Sequence, residues 1–593
     1  MNASASVATD GPLYRGDDLK VRWKQRLLSV MPSASLGALL VWLVIVPLVL
    51  ILISSFKPTG FPMDTGWTID NYIRTYADAE FWALVLNTIQ FAVGSMVVAL
   101  TIGTIVAWLV ERTDMPMRGV VRVLVILPMA TPPVLMAIGW VMLLSPRTGF
   151  FNDLLQGLFG LSEAPINIFS LPGMIFVEGL ALVPSTFLIL SPAFRNMDPS
   201  LEEAAFTSGA GLLTTIRKVF LPLLWPSIVA AGVFLLIVGF LVFDIPGTIG
   251  MPVGIFVLSS QVVYLANDSP TGLPEYGIIS AMAIFFLVLV ISLAWAHQRQ
   301  TRRQTSFVTI TGKGWRVRPL PLGRWRWIAF GFICFYFLLA VVAPVGILIW
   351  SSLTPYQAGV SAEMLGKLTL ANHLDFFSNR RAVSASINSV VIALVASTAV
   401  ALLSFLVSWV VVRSKLPGRK FIDVLSFLPI AIPGTLIGVG LIYVYLTLNF
   451  IPIYGSIWII IVAYTTNYLS FGSRATHGVM LQMHSDLEEA ARTSGAGWFR
   501  TTRRIVAPLA FPAIAAVWIW VFAHCMRELT SALLLKGADN TTLPVLLWGY
   551  WTGGEPNKAA AVGVWLVIAM LLCVVAWQIL AARSRSASGR EAA

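Results

Sequence analysis

The chain has 593 residues, of which 57% are hydrophobic and 11% charged, with mean hydropathy +0.81 and formal net charge +12. Soluble domains carry about a quarter charged residues, so this much apolar surface is buried only in lipid, and a string of soluble domains is excluded. The positive charge would suit nucleic acid, but its placement along the chain assigns it to membrane orientation and leaves no nucleic-acid patch.

In chain order, a polar and basic stretch of 1–35 precedes any apolar run. It is too long and too charged for a cleaved signal, so the first span, near 36–55, is expected to be retained as an anchor. Windows of roughly 20 apolar residues, the length that crosses the hydrocarbon, follow near 84–110, 119–144, 171–192, 226–247 and 276–296. After a basic segment over 297–327 they return near 328–351, 385–412, 421–447, 455–474, 511–534 and 559–581. Pro132, Pro133, Pro433 and Gly434 fall inside spans, which membrane helices tolerate when neighbours satisfy the freed carbonyls. The expected fold is an all-α polytopic membrane protein with about 12 transmembrane helices.

Lys/Arg bias sets orientation. An even span count with a cytoplasmic N-terminus places Arg15–Arg26, Arg112–Arg122, Arg299–Arg326, Arg413–Lys420 and the tail Arg583–Arg590 on one side. Loops such as "KPTGFPMDTGWTIDNYIRTYADAE" on the other side are acidic or near neutral. Both termini are therefore expected in the cytoplasm.

The two halves repeat. "RTDMP" at Arg112 matches "RSKLP" at Arg413, and "LPMATPP" at Leu127 matches "LPIAIPG" at Leu428, at an offset of 301 residues. "LEEAAFTSGAG" at Leu201 returns as "LEEAARTSGAG" at Leu487, at an offset of 286. An even number of spans per half makes the two 6-helix repeats parallel, a duplicated transporter or channel architecture.

Each LEEAA segment opens like a helix. Asp198 is a candidate N-cap with Pro199 at the first helical position, and Ser485 or Asp486 serves the second copy. The paired glutamates sit in the first turn, favoured by the helix dipole. Alanines leave one face shallow, and Gly209 and Gly495 permit a sharp turn before a basic helix. A short helix, a turn and a second helix make a projecting knob. A single copy would read equally as an ordinary capped interfacial helix, but near-identity in two copies implies that both knobs meet similar partners.

The pattern EAA, three residues, Gly, nine residues, then I/V-x-x-Pro resembles the EAA loop of binding-protein-dependent ABC importer permeases. It fits Glu203, Ala204, Ala205, Gly209, Val219 and Pro222, and again Glu489, Ala490, Ala491, Gly495, Ile505 and Pro508. The resemblance implies a type I importer fold in which each loop is a coupling helix seated on a separate cytoplasmic ATPase subunit. Glu203 and Glu489 would touch the ATPase, and Gly209 and Gly495 would form the turn. It also implies two ATPase copies and a periplasmic or extracellular solute-binding protein as partners. The domains expected are a cytoplasmic segment 1–35, a first permease unit 36–296 with its loop near 198–222, and a cytoplasmic linker 297–327. A second unit 328–581 with its loop near 485–508 and a tail 582–593 follow. No G-x-x-x-x-G-K-[ST] occurs, so ATP hydrolysis is assigned to the partner subunits, with no cofactor and no enzyme site on this chain.

Ionisable residues inside spans mark candidate pathways. Glu178 falls in the fourth span, and Asp244 and the pair Arg527–Glu528 fall at corresponding outer ends of the fifth and eleventh. A translocation lining or gate stands beside an interfacial or structural ion pair as their reading. Thr465, Thr466 and Asn467 line a polar path or form interhelical hydrogen bonds. His297, His373, His477, His484 and His524 are scattered, and Cys334, Cys525 and Cys573 lack paired spacing, so no metal site is expected. Two fused units with "FDIP" and "RELTSALLL" resemble the ferric-iron importer group, whose relatives of this organisation also carry phosphonates, sugar phosphates or thiamine. A major-facilitator-type carrier is the alternative, since it too has six plus six spans; a membrane-embedded enzyme ranks last, because no nucleophile–base pair is present.

Overall fold

The computed structural model describes residues 31–590 except 32, 199, 268–273, 305–318, 415, 449 and 485. The expectations for Pro199, Ser485 and the basic zone Arg15–Arg26 lie outside the described residues.

The first half comprises α1 (Ser33–Ser55), α2 (Ala79–Arg112), α3 (Arg118–Ala130), α4 (Pro133–Leu144), α5 (Leu171–Arg195) and the knob helix α6 (Ser200–Thr207). It continues with α7 (Ile216–Leu241), α8 (Pro246–Val253), α9 (Leu258–Asn267) and α10 (Tyr276–Gln304). The second half comprises α11 (Trp325–Leu353), α12 (Arg380–Arg413), α13 (Arg419–Ala431), α14 (Gly434–Thr447), α15 (Ile457–Gln482) and the knob helix α16 (Asp486–Thr493). It closes with α17 (Phe499–Arg527), α18 (Thr530–Leu534), α19 (Leu543–Thr552) and α20 (Pro556–Arg590). Among the described residues 9 helices are long and apolar enough to cross a membrane, or up to 12 if each bent pair is one span.

The structure corrects several expected spans. The third and ninth are not continuous: α3 and α4 meet at 93°, and α13 and α14 at 113°. Pro132 and Pro433 sit at the breaks with extended ψ of 135° and 141°, because each proline lacks an N–H to continue the ladder and disfavours helix in the residue before it. The fifth span stops at Leu241 rather than 247, where Val242 turns extended with ψ of 138° and its carbonyl accepts from the Ser259 hydroxyl at 2.6 Å. The eleventh stops at Arg527 rather than 534: Glu528 is extended, and its carboxylate accepts the Ser531 N–H at 3.0 Å, a local bond that competes with the helix. The bent pair α8/α9, at 69°, was not expected at all. The tenth span is a 26-residue helix, but its run of Thr, Asn and Ser leaves it outside the apolar set.

The halves exchange their first spans. α1 packs on α10 of its own half and on α14 of the other, while α11 packs on α20 and on α4 of the first half. At both crossings a proline lies against a glycine. A Cβ on Gly139 would stand 2.7 Å from Pro344, and one on Gly440 would stand 2.7 Å from Pro47. Without a hydrophobic drive between helices in lipid, close backbone approach at small residues supplies the packing. Each exchanged span is also tied at its far end by an asparagine. Asn71 Nδ2 donates to the carbonyls of Ser55 and Lys57 at 3.1 and 2.8 Å, and Asn372 Nδ2 to those of Ser352 and Thr354 at 3.0 and 2.9 Å. These are last-turn carbonyls, which lack intrahelical donors.

Both knobs lie at one end of the bundle. α1 starts beside Val410 and Ile422, near the second knob, and the loop after it brings Gly60 against Gly277 at the start of α10, away from the first knob. The end of the linker docks at the knob end, where Leu320 N donates to Arg112 O at 2.8 Å and Asp114 N to Leu320 O at 3.0 Å.

Candidate functional site

The knobs share a backbone. Gly209 and Gly495 both have φ of +77°, the left-handed region that only glycine enters without strain. Ala210 N donates to Ala205 O at 3.0 Å, and Ala496 N to Ala491 O at 2.9 Å. A left-handed residue with this bond back over the last turn is the Schellman arrangement, which satisfies a terminal carbonyl and ends the helix. At the start of the first knob, Asp198 Oδ1 accepts the Ser200 N–H at 2.9 Å, the capping role expected of it. No atom would meet a Cβ on Gly209 or Gly495 within 4 Å, so both turns project into open space. Ala204, Glu489 and Ala490 are exposed; the side chains of Glu202, Glu203 and Phe206 lie outside the described residues. Pro222 and Pro508, the last positions of the motif, stand in the first turns of the helices that enter the bundle.

The knobs are anchored by residues that the sequence reading used as charge and repeat markers and not as site residues. Arg112 and Arg413 end α2 and α12 and donate to the final-turn carbonyls of α5 and α15. Their alignment in "RTDMP" and "RSKLP" was the available signal. Beside the first knob, Glu111 accepts from Arg122 at 2.8 Å, Arg195 at 3.2 Å and Ser191 at 3.1 Å. Position 412 of the second half is a valine, so the repeat gave no hint of this network.

The second cluster lies between the halves. Glu178 is on α5, 2% exposed. Asp244 sits in the break between α7 and α8, within electrostatic reach of Glu178, Arg527 and Glu528. One carboxylate oxygen of each acid, Glu178 Oε2, Asp244 Oδ1 and Glu528 Oε2, is buried with no hydrogen-bond partner. Arg527 donates through Nη1 to Met129 O, a carbonyl freed by the break after α3 in the opposite half, and through Nη2 to His524 Nε2 at 3.0 Å. His524 in turn holds the Trp520 carbonyl through Nδ1 at 2.9 Å, a contact that fixes the tautomer with Nε2 as acceptor. The other Glu528 oxygen accepts from Ser531, whose hydroxyl is bonded by Asn467 at 3.0 Å. Thr466 bonds back to Val462 O in its own helix at 2.9 Å, so of the three polar residues on α15 Asn467 is the one tied to the cluster.

Asp244 and Glu528 were expected at corresponding outer ends, and each lies just past the end of its span, two residues apart in register. α7 and α17 superpose in sequence from Leu221 and Ala507, which pairs Arg527 with Leu241 and Asp244 with Thr530. The acids nonetheless converge, because each lies in the break that follows its span. A cavity of about 580 Å³ also runs between the halves, with walls from Ile126 and Met129 of α3, Phe471 of α15, Trp520 and Arg527 of α17, and Met570 of α20. No three His, Cys, Asp or Glu side chains among the described residues approach closely enough to hold one metal ion together.

Comparison with known proteins follows the same division into halves. The family model described as binding-protein-dependent transport system inner membrane component matches residues 99–306 and again 401–586. The chain is 27% identical over 472 residues to a ferric transport system permease protein of Actinobacillus pleuropneumoniae, covering 77% of this chain and 64% of that protein. It is 24% identical over 489 residues to an Fe(3+)-transport system permease protein of Haemophilus influenzae, covering 82% and 87%. The chain thus spans less than two thirds of the length of the Actinobacillus relative. A solved bacterial alginate ABC transporter in complex with an alginate pentasaccharide-bound periplasmic protein matches at a TM-score of 0.37 and 19% identity, over 49% of this chain and 97% of that one. The double match replaces the major-facilitator-type alternative. The chain belongs to the family of inner membrane components of binding-protein-dependent transport systems, and carries the family's unit twice in one polypeptide.

Proposed function

We propose that this chain forms the solute pathway of an ATP-driven importer, with each knob seated on one of two separate ATPase subunits and with a binding protein delivering cargo at the opposite end. The observation that carries this reading is the pair of matching knobs: two short helices ended alike by glycines at the same φ of +77° with the same bond back over the last turn, and projecting at one end of the bundle. The lysine and arginine bias supports a cytoplasmic position for that end and for both termini. Glu203 and Glu489 are the outward contacts, and Gly209 and Gly495 hold the turns. ATP is hydrolysed by the partners. Closure of the two ATPases draws the knobs together and rocks the halves about the exchanged spans, opening the interface that holds Glu178, Asp244, Arg527 and Glu528.

Ferric iron is the proposed cargo. The relatives named as ferric permeases support it, and the partnerless carboxylate oxygens suit a cation better than an anionic phosphonate or sugar phosphate. The test is reconstitution in vesicles with the ATPase and binding protein encoded beside this chain. ATP-dependent accumulation of ferric iron supports the reading, and accumulation of thiamine or a sugar phosphate with none of iron overturns the cargo assignment.

A further inference from the structure

The second span of each half ends on an arginine whose side chain turns back into the protein. Arg112 is fully buried, and the Arg413 side chain is 10% exposed. Arg413 Nη2 donates to Met480 O at 2.9 Å and to Met483 O at 2.6 Å, where α15 ends. Its Nε lies 3.3 Å from Glu488 Oε1 in the first turn of knob helix α16. One guanidinium therefore joins three elements: the end of α12 that carries it, the last turn of α15, and the knob. The chemistry suits the place, since a cation favours a helix C-terminus and a carboxylate favours an N-terminus, and the planar fork serves several acceptors at once.

The first half repeats the contacts to the preceding helix and sets a different acid near the guanidinium. Arg112 Nη1 donates to Phe194 O at 3.4 Å and Met197 O at 3.2 Å, the equivalents of Met480 and Met483. Asp198, which caps the first knob, is within its electrostatic reach, and the guanidinium stands 5.9 Å from the ring of Phe220, where the chain leaves the knob for α7. In the second knob the two neighbouring acids diverge. The Glu488 side chain is 14% exposed and faces Arg413, whereas Glu489 is exposed.

We propose that Arg413, and Arg112 in the first half, are positioning residues that act as struts, carrying displacement of each knob into the long helices α12 and α2. Glu488 is the knob's inner handle, and Glu489 remains its outward contact. The proposal rests on the reading of the knobs as ATPase seats. The hydrogen bonds to α15 and the water-shielded ion pair to Glu488 hold the guanidinium between them, so a knob paired in this way moves together with α12 and α15. With the clamp removed, the knob stays attached through the chain alone and yields before the helices do.

The test uses the full importer, this chain with its ATPase and binding protein, in vesicles, with ATP hydrolysis and solute uptake measured side by side. Arg413→Ala should keep its bound ATPase and most of its hydrolysis, while uptake per ATP falls by about 2- to 30-fold, the range that coupling residues of this kind span. Arg413→Lys, which keeps the charge but not the fork, should recover part of the loss. Glu488→Gln, nearly isosteric, reads the same ratio even if Arg413→Ala fails to assemble. Glu489→Gln should instead weaken ATPase association. Uptake per ATP unchanged in Glu488→Gln, or uptake and hydrolysis falling in parallel as for a purely structural anchor, overturns the strut alone. A wild-type chain that recruits no ATPase overturns the functional reading and the strut with it.

Discussion

Replacing Gly495 with alanine isolates the contribution of the knob's turn. An L-residue with a side chain at φ of +77° is strained by about 1–2 kcal/mol. Nothing lies within 4 Å of the added Cβ, so no steric clash contributes. At about 1.4 kcal/mol per tenfold, the ordered knob loses roughly 5- to 30-fold in population relative to a frayed one, and affinity for the ATPase falls with the ordered fraction, by up to the same factor. Gly209→Ala should match it, and the double variant should approach the product, since the two turns share no partner. Gly495→Asn should cost less, because asparagine enters this region more readily. Gly497→Ala, two residues on, is the control: Gly497 also has open space around it but is not among the positive-φ glycines. The assay is titration of the purified chain in detergent with labelled ATPase subunit. Equal affinities for the Gly495→Ala and Gly497→Ala variants would refute the argument that turn geometry, rather than mere smallness, is what the glycine supplies.

Three further outcomes follow from the fold and the interior cluster. Gly440→Leu should overpack the crossing with Pro47 and destabilise the exchanged span by about 1–3 kcal/mol, read as a lowered melting temperature in detergent; Gly346→Leu, with nothing within 4 Å, should leave it unchanged. Asn372→Ala should strand the Ser352 carbonyl, while Thr354 keeps Asn557 as donor, at a cost of about 1–3 kcal/mol, and Asn71→Ala should strand the Ser55 carbonyl in the first half, both visible as faster hydrogen exchange at the ends of α11 and α1. Asp244→Asn and Glu178→Gln should slow uptake of ferric iron while leaving ATPase association intact, as measured in the reconstituted vesicles; unchanged uptake in both would remove these acids from the pathway.

Much of this architecture was legible because lipid imposes a coarse rule. An apolar run of the right length is a span, and a duplicated chain gives each span a second reading. The same reasoning placed the knobs, whose capping residues and left-handed glycines act locally and so leave a local trace. Where bonds between distant segments override local preference, the sequence was silent. The breaks at Pro132 and Pro433 were read as tolerable kinks, yet each is a sharp turn. In the first, the other half supplies Arg527 to take the freed Met129 carbonyl. Asp244 and Glu528 were placed inside spans because their neighbours are apolar, but the extended Val242, whose carbonyl Ser259 takes, and the Glu528–Ser531 bond end those spans early. The exchange of α1 and α11 between halves left only a proline and a glycine in each copy as its mark, residues that stand out only once the partner is known.

The central claim is that each half carries one seat for an ATPase subunit. Native mass spectrometry of the chain purified with a co-expressed ABC ATPase subunit of the same genome reads this out. Two ATPase copies are expected on the wild-type chain, one when Glu489 and Ala490 are replaced by arginine and bulky leucine, and one when the same is done at Glu203 and Ala204. Two copies retained in either variant, or none on the wild-type chain, would contradict it.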